Sequence, residues 1–567
     1  MTRAHTRLFE GLDALALEDV YSSMEPRHFP AHAILCREGD RGDRLFVIER
    51  GLAQVIVGES DNPRPVARLR RGDVIGEMSL IAGEPRSATV VASVATDTLV
   101  LTRDIFAGLL ARYPVILTNL NRILASRLTR QNRRQVERFR GEVVALVTGQ
   151  SSAPFVLDAI TAAKAASPRS VVAIDLTGAV PIRDVELEQP TVEETLAALD
   201  DVLSAHGTLI VVAGLDQRNL PALLEHMDRV IAVTTEAETK GSANILRPMA
   251  DRVTLVLPTL ERSCAPATLE GLRVIRTLDV RDPSRDIAWL GRHLSRTKLG
   301  LALGAGGVKG FAHVGVLQVL ERYGYTVDYV AGSSIGAIVG AWLGLGMNAA
   351  EIEATMRRSF DAEYWSAVFK LSLSGLSGGL DVHTRICRET TGDRSFADLR
   401  IPLVAMAVDL NNRQPAPLQD GPLWQALLAS TALAGVFPPY QQGPQRLVDG
   451  LALVPVPTGA VIDAGADVTV SVNVMSRDTL PAWPGQPAPP KPPPARGSVM
   501  LNTLLEVMDL AQLDASVRHA DLADVVITPR FGPGTWRDIH LADLFLEAGR
   551  TAAEEKLPAL RTLASPE

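Results

Sequence analysis

The stretch "GLALGAGGVKGFAHVGVLQVL" (residues 300–320) contains a short apolar strand, a glycine-rich turn with one lysine, and the start of a helix. Such a turn, between a strand and a helix, holds either the phosphates of a dinucleotide or an oxyanion during acyl transfer. The dinucleotide pattern G-x-G-x-x-G fails here, because counting from Gly304 puts Lys309 in the third glycine position. Ending the count on Gly310 puts Ala305 in the first position. The sequence therefore favours an oxyanion-binding turn.

A second strand, turn and helix follow in "VDYVAGSSIGAIVGAWLG" (residues 327–344), with Gly332-x-Ser334-x-Gly336 at the turn. Small residues permit a strained turn that exposes the serine hydroxyl at a helix N-terminus, where the dipole and free amides favour negative charge. The same pattern surrounds Ser377, but it lies in a Ser/Gly-rich run without a strong strand before it. We therefore predict that Ser334 is the nucleophile and that Ser377 lies in a loop.

A nucleophilic serine needs a base that takes its proton. None of the histidines that follow Ser334 lies on a loop at the end of a strand; these are His383, His519 and His540. Asp449 does follow a short strand, in "QRLVDGLALVPVP" (residues 445–457), and the next residue is a glycine that permits close approach. From the residues alone, Asp449 is either the base of a Ser/Asp dyad or an ordinary turn aspartate.

These three motifs, in this order, resemble those of the patatin-like phospholipase family over most of residues 299–553. The resemblance implies an α/β hydrolase with a central parallel sheet that cleaves phospholipids or lysophospholipids. Ser334 would be its nucleophile and Asp449 the base, with no metal and no cofactor for catalysis. The implied oxyanion hole lies in the glycine-rich loop formed by Gly306, Gly307, Val308, Lys309 and Gly310.

The sequence departs from the family pattern at two positions. Ala305 replaces the first glycine of the loop, and we expect a modest effect because the oxyanion amides come later in the turn, around Gly307 and Val308. Leu451 replaces the small residue after Asp-Gly and is expected to alter the approach to Asp449. Lys309 has two interpretations, a catalytic support or a solvated charge that steers phosphate.

Short strand-like segments between Ala33 and Leu101 predict a small β-barrel or a β-sandwich. Inside it, "RGDVIGEMSLIAGEPRSATVVAS" (residues 71–93) resembles the phosphate-binding cassette of a cyclic nucleotide-binding domain, and the likeness extends over about residues 8–130. From this motif we expect the barrel of such a domain. The resemblance implies binding of cAMP or cGMP through the residues Gly76, Glu77, Met78, Arg86 and Ser87. Glu77 would accept from the ribose, and Arg86 would pair with the cyclic phosphate. The alternative is a relic that binds nothing.

Three domains are predicted: a cyclic nucleotide-binding domain with a trailing helix at 1–140, a central non-catalytic α/β domain at 141–296, and the patatin-like domain at 297–567. A proline-rich segment at 481–496 is expected to be an exposed loop. The central turn "TGQSSAP" (residues 148–154) lacks the GK[ST] ending of a phosphate loop. Apolar residues at helical spacing after Phe106 predict a long amphipathic helix that pairs with a second subunit, giving a homodimer.

Composition excludes several classes of function. With 57 Lys and Arg against 65 Asp and Glu, the net charge of −8 gives no footprint of a nucleic-acid-binding protein. The three cysteines lack the spacing of a zinc site or a disulfide framework. The N-terminus does not read as a signal peptide, and the most apolar run, residues 335–347, is too short to cross a bilayer. We expect a cytoplasmic protein that meets the inner face of the membrane peripherally.

A cyclic nucleotide-binding domain ahead of a patatin-like domain resembles the neuropathy target esterase group of lysophospholipases, in a bacterial form. The function implied by this resemblance is a serine lipid acyl hydrolase that a cyclic nucleotide regulates. The alternative is a catalytically silent cyclic-nucleotide sensor or scaffold protein.

Overall fold

The computed structural model describes most of the chain. The described residues are 6–9, 12–31, 33–51, 53–57, 64–69, 72–76, 85–86, 88–93, 95–117, 119–120, 142–149, 152–177, 207–217, 219–259, 268–368, 379–475, 499–532 and 535–566. The chain forms two compact units, one of residues 1–160 with 169–286 and one of residues 161–168 with 287–567. The three-domain division with its boundaries stays a prediction.

The N-terminal part of the first unit contains two four-stranded antiparallel sheets, in the orders β1-β8-β3-β6 and β2-β7-β4-β5. This confirms the predicted β domain and shows that its strands are antiparallel. Apolar side chains from both sheets, such as Phe46 of β3 and Val90 of β7, are buried inside it. The strands are β1 (Glu25–Phe29), β2 (Ile34–Cys36), β3 (Arg44–Arg50), β4 (Ala53–Val57), β5 (Arg64–Leu69), β6 (Val74–Ile75), β7 (Thr89–Ala92) and β8 (Thr96–Thr102), and the helices are α1 (Ala14–Ser22) and α2 (Arg103–Arg112).

The predicted long amphipathic helix is wrong in its first part, because α2 ends at Arg112 and Tyr113 leaves the helical conformation. The residue after Tyr113 is a proline, and proline disfavours the helical conformation in the residue before it. Ile116 and Leu120 are fully buried in the core of their own domain. They therefore give no reason for a second subunit, and the homodimer prediction now rests on residues 121–141, which lie outside the described residues.

The central part contains a seven-stranded sheet among the described strands, in the order β10-β11-β9-β12-β13-β15-β14, in which only the pair β14 and β15 is antiparallel. This confirms the predicted α/β region. Its strands are β9 (Glu142–Thr148), β10 (Val171–Asp175), β11 (Thr208–Gly214), β12 (Arg229–Val233), β13 (Val253–Thr259), β14 (Thr268–Leu269) and β15 (Leu272–Asp279), and its helices are α3 (Ala153–Ala166), α4 (Leu220–Glu225), α5 (Glu236–Leu246) and α6 (Ser284–Leu294).

The turn after β9 lies against an acidic side chain of helix α5, whereas a phosphate loop carries a basic residue. A Cβ at Gly149 would lie 2.2 Å from the carboxyl carbon of Glu238, so this side chain packs directly against the turn. A carboxylate there repels phosphate. The carboxylate of Glu238 therefore disfavours a phosphate next to Gly149, and the non-catalytic role of the central domain stays a prediction.

The second unit has a mixed eight-stranded sheet among its described strands, in the order β20-β21-β18-β17-β16-β22-β23, with β19 beside β18. Its strands are β16 (Leu299–Leu303), β17 (Val327–Ser333), β18 (Leu403–Asp409), β19 (Gln414–Leu418), β20 (Tyr440–Gln442), β21 (Gln445–Asp449), β22 (Val468–Val472) and β23 (Val525–Ile527). Five neighbouring strands of this sheet run parallel, in the order β18-β17-β16-β22-β23, and their residues are almost all buried.

Some helices of this unit pack directly on the sheet, and others pack on neighbouring helices. They are α7 (Phe311–Arg322), α8 (Ile335–Gly344), α9 (Ala349–Ser359), α10 (Ala362–Val368), α11 (Leu380–Thr391), α12 (Leu423–Ser430), α13 (Thr458–Ala464), α14 (Val499–Ala520) and α15 (Ala542–Arg561). In the described part of the chain, no helix combines the length and the apolar character needed to span a bilayer. The proline-rich segment at 481–496 and Ser377 lie outside the described residues.

Strand order brings the sequence motifs to one edge of this sheet. The glycine-rich loop follows β16 and the Ser334 turn follows β17, and these strands are parallel neighbours with Leu303 opposite Gly332. Asp449 ends β21, where it pairs with Ala407 of the intervening strand β18. Ligand sites of α/β sheets form at the carboxyl ends of parallel strands.

Candidate active site

Ser334 and Asp449 form a direct contact at this edge. The Ser334 hydroxyl donates a hydrogen bond of 2.7 Å to Oδ2 of Asp449. The two residues are 115 positions apart in the chain, and only the placement of β17 and β21 on either side of β18 brings them together. A serine hydroxyl that is hydrogen-bonded to a carboxylate has the arrangement required of an activated nucleophile.

The Ser334 turn has the strained backbone of a nucleophile elbow. Ser334 has φ 55° and ψ −124°, a conformation that costs a non-glycine residue about 1–3 kcal/mol. Close packing maintains it, because a Cβ at Gly332 would lie 2.2 Å from the carbonyl oxygen of Gly336. A Cβ at Gly336 would lie 2.2 Å from the carbonyl oxygen of Leu303. The two glycines of the motif are therefore needed for space.

Burial changes the acidity of Asp449. The side chain is 2% exposed, and desolvation raises its pKa from 3.8 to about 7, although hydrogen bonds from Leu451 and Ser334 act in the opposite direction. The backbone amide of Leu451 donates to Oδ1 at 2.8 Å and leaves Oδ2 directed at Ser334. A carboxylate with this pKa is a stronger base than an exposed aspartate, and it is still ionised in a large fraction of molecules at neutral pH.

The two departures from the family pattern pack against each other. The side chains of Ala305 and Leu451 belong to one small buried cluster with Met475. Leu451 does not obstruct Asp449, because its amide serves the carboxylate and its side chain lines the cavity beside it. The expected disturbance of Asp449 by Leu451 is therefore not seen in the geometry.

The glycine-rich loop offers free amides, though not all of the expected ones. The amide of Val308 donates to the carbonyl of Trp536 at 2.9 Å, and that of Lys309 donates to Gly306 at 3.1 Å. The expectation that the Val308 amide binds the oxyanion is therefore wrong for this conformation. Among the described residues, the amides of Gly306 and Gly307 have no hydrogen-bond partner, and both residues line the same cavity as Ser334.

The remaining members of the loop are placed as follows. Gly310 lies under Ile335, where a Cβ would come within 2.5 Å of that side chain. The ammonium of Lys309 lies 5.2 Å from the ring centre of Phe531, a cation–π distance. Behind the loop, buried His313 lies with Nε2 2.8 Å from the carbonyl oxygen of Gly304, and desolvation lowers its pKa to about 4.

A cavity of about 340 Å³ opens in front of Ser334 and Asp449. Most of its wall is apolar and comes from helices α8, α10 and α14 and from the segment after α12. The apolar side chains in this wall include Ile338, Phe360, Trp365, Val368, Val436 and Phe437. Sites for small organic ligands have this form, apolar walls with a few polar groups placed for chemistry.

His383 lines the cavity without touching the dyad. Its Nδ1 lies 2.9 Å from the hydroxyl of Tyr364, and its Nε2 lies 2.7 Å from Oγ1 of Thr431. Thr431 donates its own proton to the carbonyl of Leu427, so it accepts from Nε2–H, and Tyr364 donates to Nδ1. Burial lowers the pKa of His383 to about 4. The imidazole is thus neutral with both nitrogens satisfied, and it is not the base for Ser334.

Sequence reasoning missed Ser430, whose hydroxyl accepts the backbone N–H of Ser334 at 3.2 Å. It also missed Tyr364, His383 and Thr431 as parts of the cavity wall. The segment "ASTALAGVFPPY" (residues 429–440), which resembles the family's segment ahead of the aspartate motif, was the available signal for Ser430 and Thr431. No local pattern indicates the other two. Among the described residues, no group of metal-ligating side chains is found.

The predicted nucleotide site of the N-terminal domain is described only in part, since Glu77, Met78 and Ser87 lie outside the described residues. Arg86 is 6% exposed, and its Nη2 donates to the carbonyl of Arg44 at 2.5 Å. Its Nη1 is buried and has no hydrogen-bond partner among the described residues. A Cβ at Gly76, where φ is +88°, would lie 1.7 Å from Nη1. A buried guanidinium with an unsatisfied donor fits an anionic phosphate.

Two family models match the chain at the regions just described. The model described as patatin-like phospholipase matches residues 301–462, which include the glycine-rich loop, Ser334 and Asp449. The model described as cyclic nucleotide-binding domain matches residues 26–113, which include Arg86.

Similar proteins match the chain over different fractions of its length. An uncharacterized NTE family protein of Mycobacterium tuberculosis is 26% identical over 569 residues, which cover 97% of this chain and 94% of the relative. Human patatin-like phospholipase domain-containing protein 6 is 24% identical over 78% of this chain and 37% of its own length. Among solved structures, the Thermus thermophilus catabolite activator protein has 24% identity and a TM-score of 0.22, covering 30% of this chain and 76% of that protein.

The two matched regions coincide with the two sites built above, the dyad with its glycine-rich loop and the buried arginine of the β domain. The chain accordingly carries a patatin-like phospholipase domain behind an N-terminal cyclic nucleotide-binding domain, and its full-length relatives are named NTE family proteins.

Proposed function

We propose that this protein is a serine acyl hydrolase that cleaves phospholipids or lysophospholipids with a dyad of Ser334 and Asp449. The observation that carries the proposal is the 2.7 Å hydrogen bond from the Ser334 hydroxyl to a buried carboxylate. Both ring nitrogens of His383, which lines the cavity, form hydrogen bonds with Tyr364 and Thr431. This supports a dyad over a triad.

In the acylation step, Oγ of Ser334 attacks the ester carbonyl carbon while its proton passes to Oδ2 of Asp449. Negative charge develops on the carbonyl oxygen, and the free amides of Gly306 and Gly307 are the donors proposed to stabilise it. When the tetrahedral intermediate collapses, protonated Asp449 returns its proton to the leaving alkoxide. The alcohol part of the lipid departs, and the acyl group remains on Ser334.

In the deacylation step, Asp449 takes a proton from water, and the resulting nucleophile attacks the acyl carbonyl. The same amides stabilise the second intermediate. Collapse releases the fatty acid, and the proton on Asp449 returns to Oγ of Ser334. One carboxylate therefore acts as base and then as acid in both halves of the reaction, and its raised pKa suits both roles.

The cavity wall supports a lipid as substrate. Three polar residues of the wall, Tyr364, His383 and Thr431, use their hydrogen-bonding groups on one another and on the carbonyl of Leu427. Their side-chain hydrogen bonds are thus made without a ligand, and an alkyl chain leaves them intact. A substrate of this class is held in membranes or micelles, so we propose peripheral contact with a lipid surface.

The N-terminal domain is proposed to bind cAMP or cGMP and to tune hydrolysis. The buried and unsatisfied Nη1 of Arg86 supports this, because a cyclic phosphate would supply the missing acceptor. The cyclic nucleotide takes no part in the chemistry at Ser334.

The test is fatty-acid release from lysophosphatidylcholine, a diacyl phospholipid and a neutral ester by the purified chain, with and without cAMP or cGMP. Wild type should release fatty acid, and Ser334→Ala and Asp449→Asn should reduce release by at least a thousandfold. A change in rate with nucleotide would support regulation. If wild type releases nothing from any lipid ester, the silent sensor replaces this proposal.

A further inference from the structure

Two residues at the C-terminal end of α12 contact the backbone of the dyad. The side-chain oxygen of Ser430 accepts the N–H of Ser334 at 3.2 Å. The carbonyl of Ala432 accepts the N–H of Asp449 at 3.1 Å. One short segment, residues 430–432, therefore holds both partners of the hydrogen bond between Ser334 and Asp449.

The hydroxyl of Ser430 has a defined orientation. It donates to the carbonyl of Met406 at 2.6 Å, so that its lone pairs are left for the amide of Ser334. Met406 lies on β18, the strand between those that carry Ser334 and Asp449, and it is paired with Ser333. The Ser430 side chain is fully buried. A Cβ at Gly450 would lie 2.5 Å from the Met406 carbonyl oxygen, which leaves little space for water to replace the hydroxyl.

Ser334 needs such a restraint. Its positive φ is unfavourable for a residue with a side chain, and this backbone angle determines where Oγ points. Ser333 is anchored separately by its own hydroxyl to the carbonyl of Val454 at 2.5 Å. The carbonyl of Ser334 accepts the amide of Ala337 at 2.9 Å as part of helix α8, and the bond to Ser430 acts on the N–H of the nucleophile.

We propose that Ser430 is a positioning residue for acyl transfer, which holds the amide of Ser334 and thereby aims Oγ at Asp449. The inference rests on the proposed function, in which Ser334 is the nucleophile. The amide of Ser334 is occupied in this arrangement, so it is not one of the oxyanion donors. The amides of Gly306 and Gly307 in the glycine-rich loop remain the donors proposed for that role.

The experiment measures the rate at which a fluorophosphonate modifies Ser334, because this reaction reports the reactivity of the serine and needs no lipid. The variants are Ser430→Ala, Ser430→Cys and Ser430→Thr. Cysteine keeps nearly the same volume but has a weak hydrogen-bonding group, whereas threonine keeps the hydroxyl. Ser471→Ala is the matched control, since Ser471 is a fully buried serine of the same domain that donates to the carbonyl of Ala520.

We expect Ser430→Ala and Ser430→Cys to slow modification by about 10- to 100-fold. Ser430→Thr should retain most of the rate, and Ser471→Ala should match wild type. In lipid hydrolysis, Ser430→Ala and Ser430→Cys should lower kcat with little change in KM. The pH midpoint of hydrolysis should stay at the wild-type value, because Asp449 is untouched. If Ser430→Ala does not fold, the volume-matched Ser430→Cys decides.

A modification rate within threefold of wild type for Ser430→Cys would overturn the inference, as would a loss that Ser430→Thr does not reverse. Either result would leave the proposed function intact, provided that the fluorophosphonate modifies Ser334 in the wild-type protein. Absence of any modification of Ser334 in wild type would instead overturn the proposed function and this inference together.

Discussion

Oγ of Ser334 lies 2.7 Å from Oδ2 of Asp449, while the amide of Leu451 holds the other carboxylate oxygen. The carboxylate is buried and has no cationic partner among the groups that shift its pKa. Because water cannot solvate it there, the ionised carboxylate is less stable than on the surface. Its affinity for a proton is therefore higher, and it is a stronger base. The reactivity of the serine depends on how far desolvation raises the pKa of Asp449 against the two hydrogen bonds that lower it.

The pH dependence of hydrolysis should reflect Asp449. The base must be ionised to accept the serine proton, and its pKa is about 7. We expect kcat/KM to be flat above this pH and to fall roughly tenfold per pH unit below it. The two buried histidines near the site, His313 and His383, have pKa values of about 4 and stay neutral through this range. A profile that is flat from pH 8 to 5.5 would contradict this assignment.

Replacing the base should stabilise the domain. Asn keeps the shape of Asp449 without the charge. Its oxygen still accepts the Leu451 amide, and its NH2 group donates to Oγ of Ser334, which reverses the direction of that hydrogen bond. The pKa is raised in the folded state, so stability is lost as pH rises past the ordinary value of 3.8, and the loss is complete above about 7. We expect Asp449→Asn to gain about 2–4 kcal/mol at pH 8 and clearly less at pH 5.5.

Thermal unfolding at the two pH values measures this gain. The inactive Ser334→Ala serves as the control, because it leaves the carboxylate in place and should not show the same pH-dependent gain. A stability difference between wild type and Asp449→Asn that does not change with pH would argue against a buried, ionised carboxylate.

The glycines of the elbow should not tolerate a side chain. A methyl group at Gly336 would lie 2.2 Å from the Leu303 carbonyl oxygen, so the turn must shift. We expect Gly336→Ala to abolish activity and to destabilise the domain by about 2 kcal/mol or more. Gly459 in α13 is the control, because a Cβ there meets nothing within 4 Å. Gly459→Ala should retain full activity and normal or slightly higher stability.

The N-terminal domain should bind a cyclic nucleotide through Arg86. We expect Arg86→Leu to weaken binding of cAMP or cGMP at least tenfold, because a charge-assisted contact to the phosphate is lost. Calorimetry on the full chain measures the affinity. Arg112→Leu makes the same change of charge at an exposed side chain paired with Asp19 and should bind as wild type does. Equal affinity of both variants would contradict the assignment of Arg86.

Much of the catalytic domain could be predicted because its signals are local. The strand, glycine turn and helix around residues 300–320 and the Ser334 turn each lie within about 20 residues. Asp449 could not be decided locally, since a turn aspartate and a catalytic base look alike until β21 is placed beside β18. The local pattern left both roles open for Asp449, and the resemblance to a family favoured the catalytic one.

Two predictions were wrong, the free amide of Val308 and the unbroken helix after Phe106. One depends on a contact far away in the sequence and the other on an adjacent residue. The amide of Val308 was expected to be free, but it is taken by the carbonyl of Trp536, more than 200 residues later. No local pattern contains that contact. The break in the helix after Arg112 was visible, because Pro114 restricts Tyr113, yet the apolar periodicity across it outweighed the proline.

The most direct test of the central claim is to trap the acyl group on the enzyme. Wild-type protein is mixed with a lysophospholipid, quenched in acid within the first turnovers, and digested, and the peptide that contains Ser334 is examined by mass spectrometry. The account predicts one acyl group esterified to Oγ of Ser334, and none in Ser334→Ala, which also fails to release fatty acid. Acylation of a different residue, or continued fatty-acid release by Ser334→Ala, would contradict it.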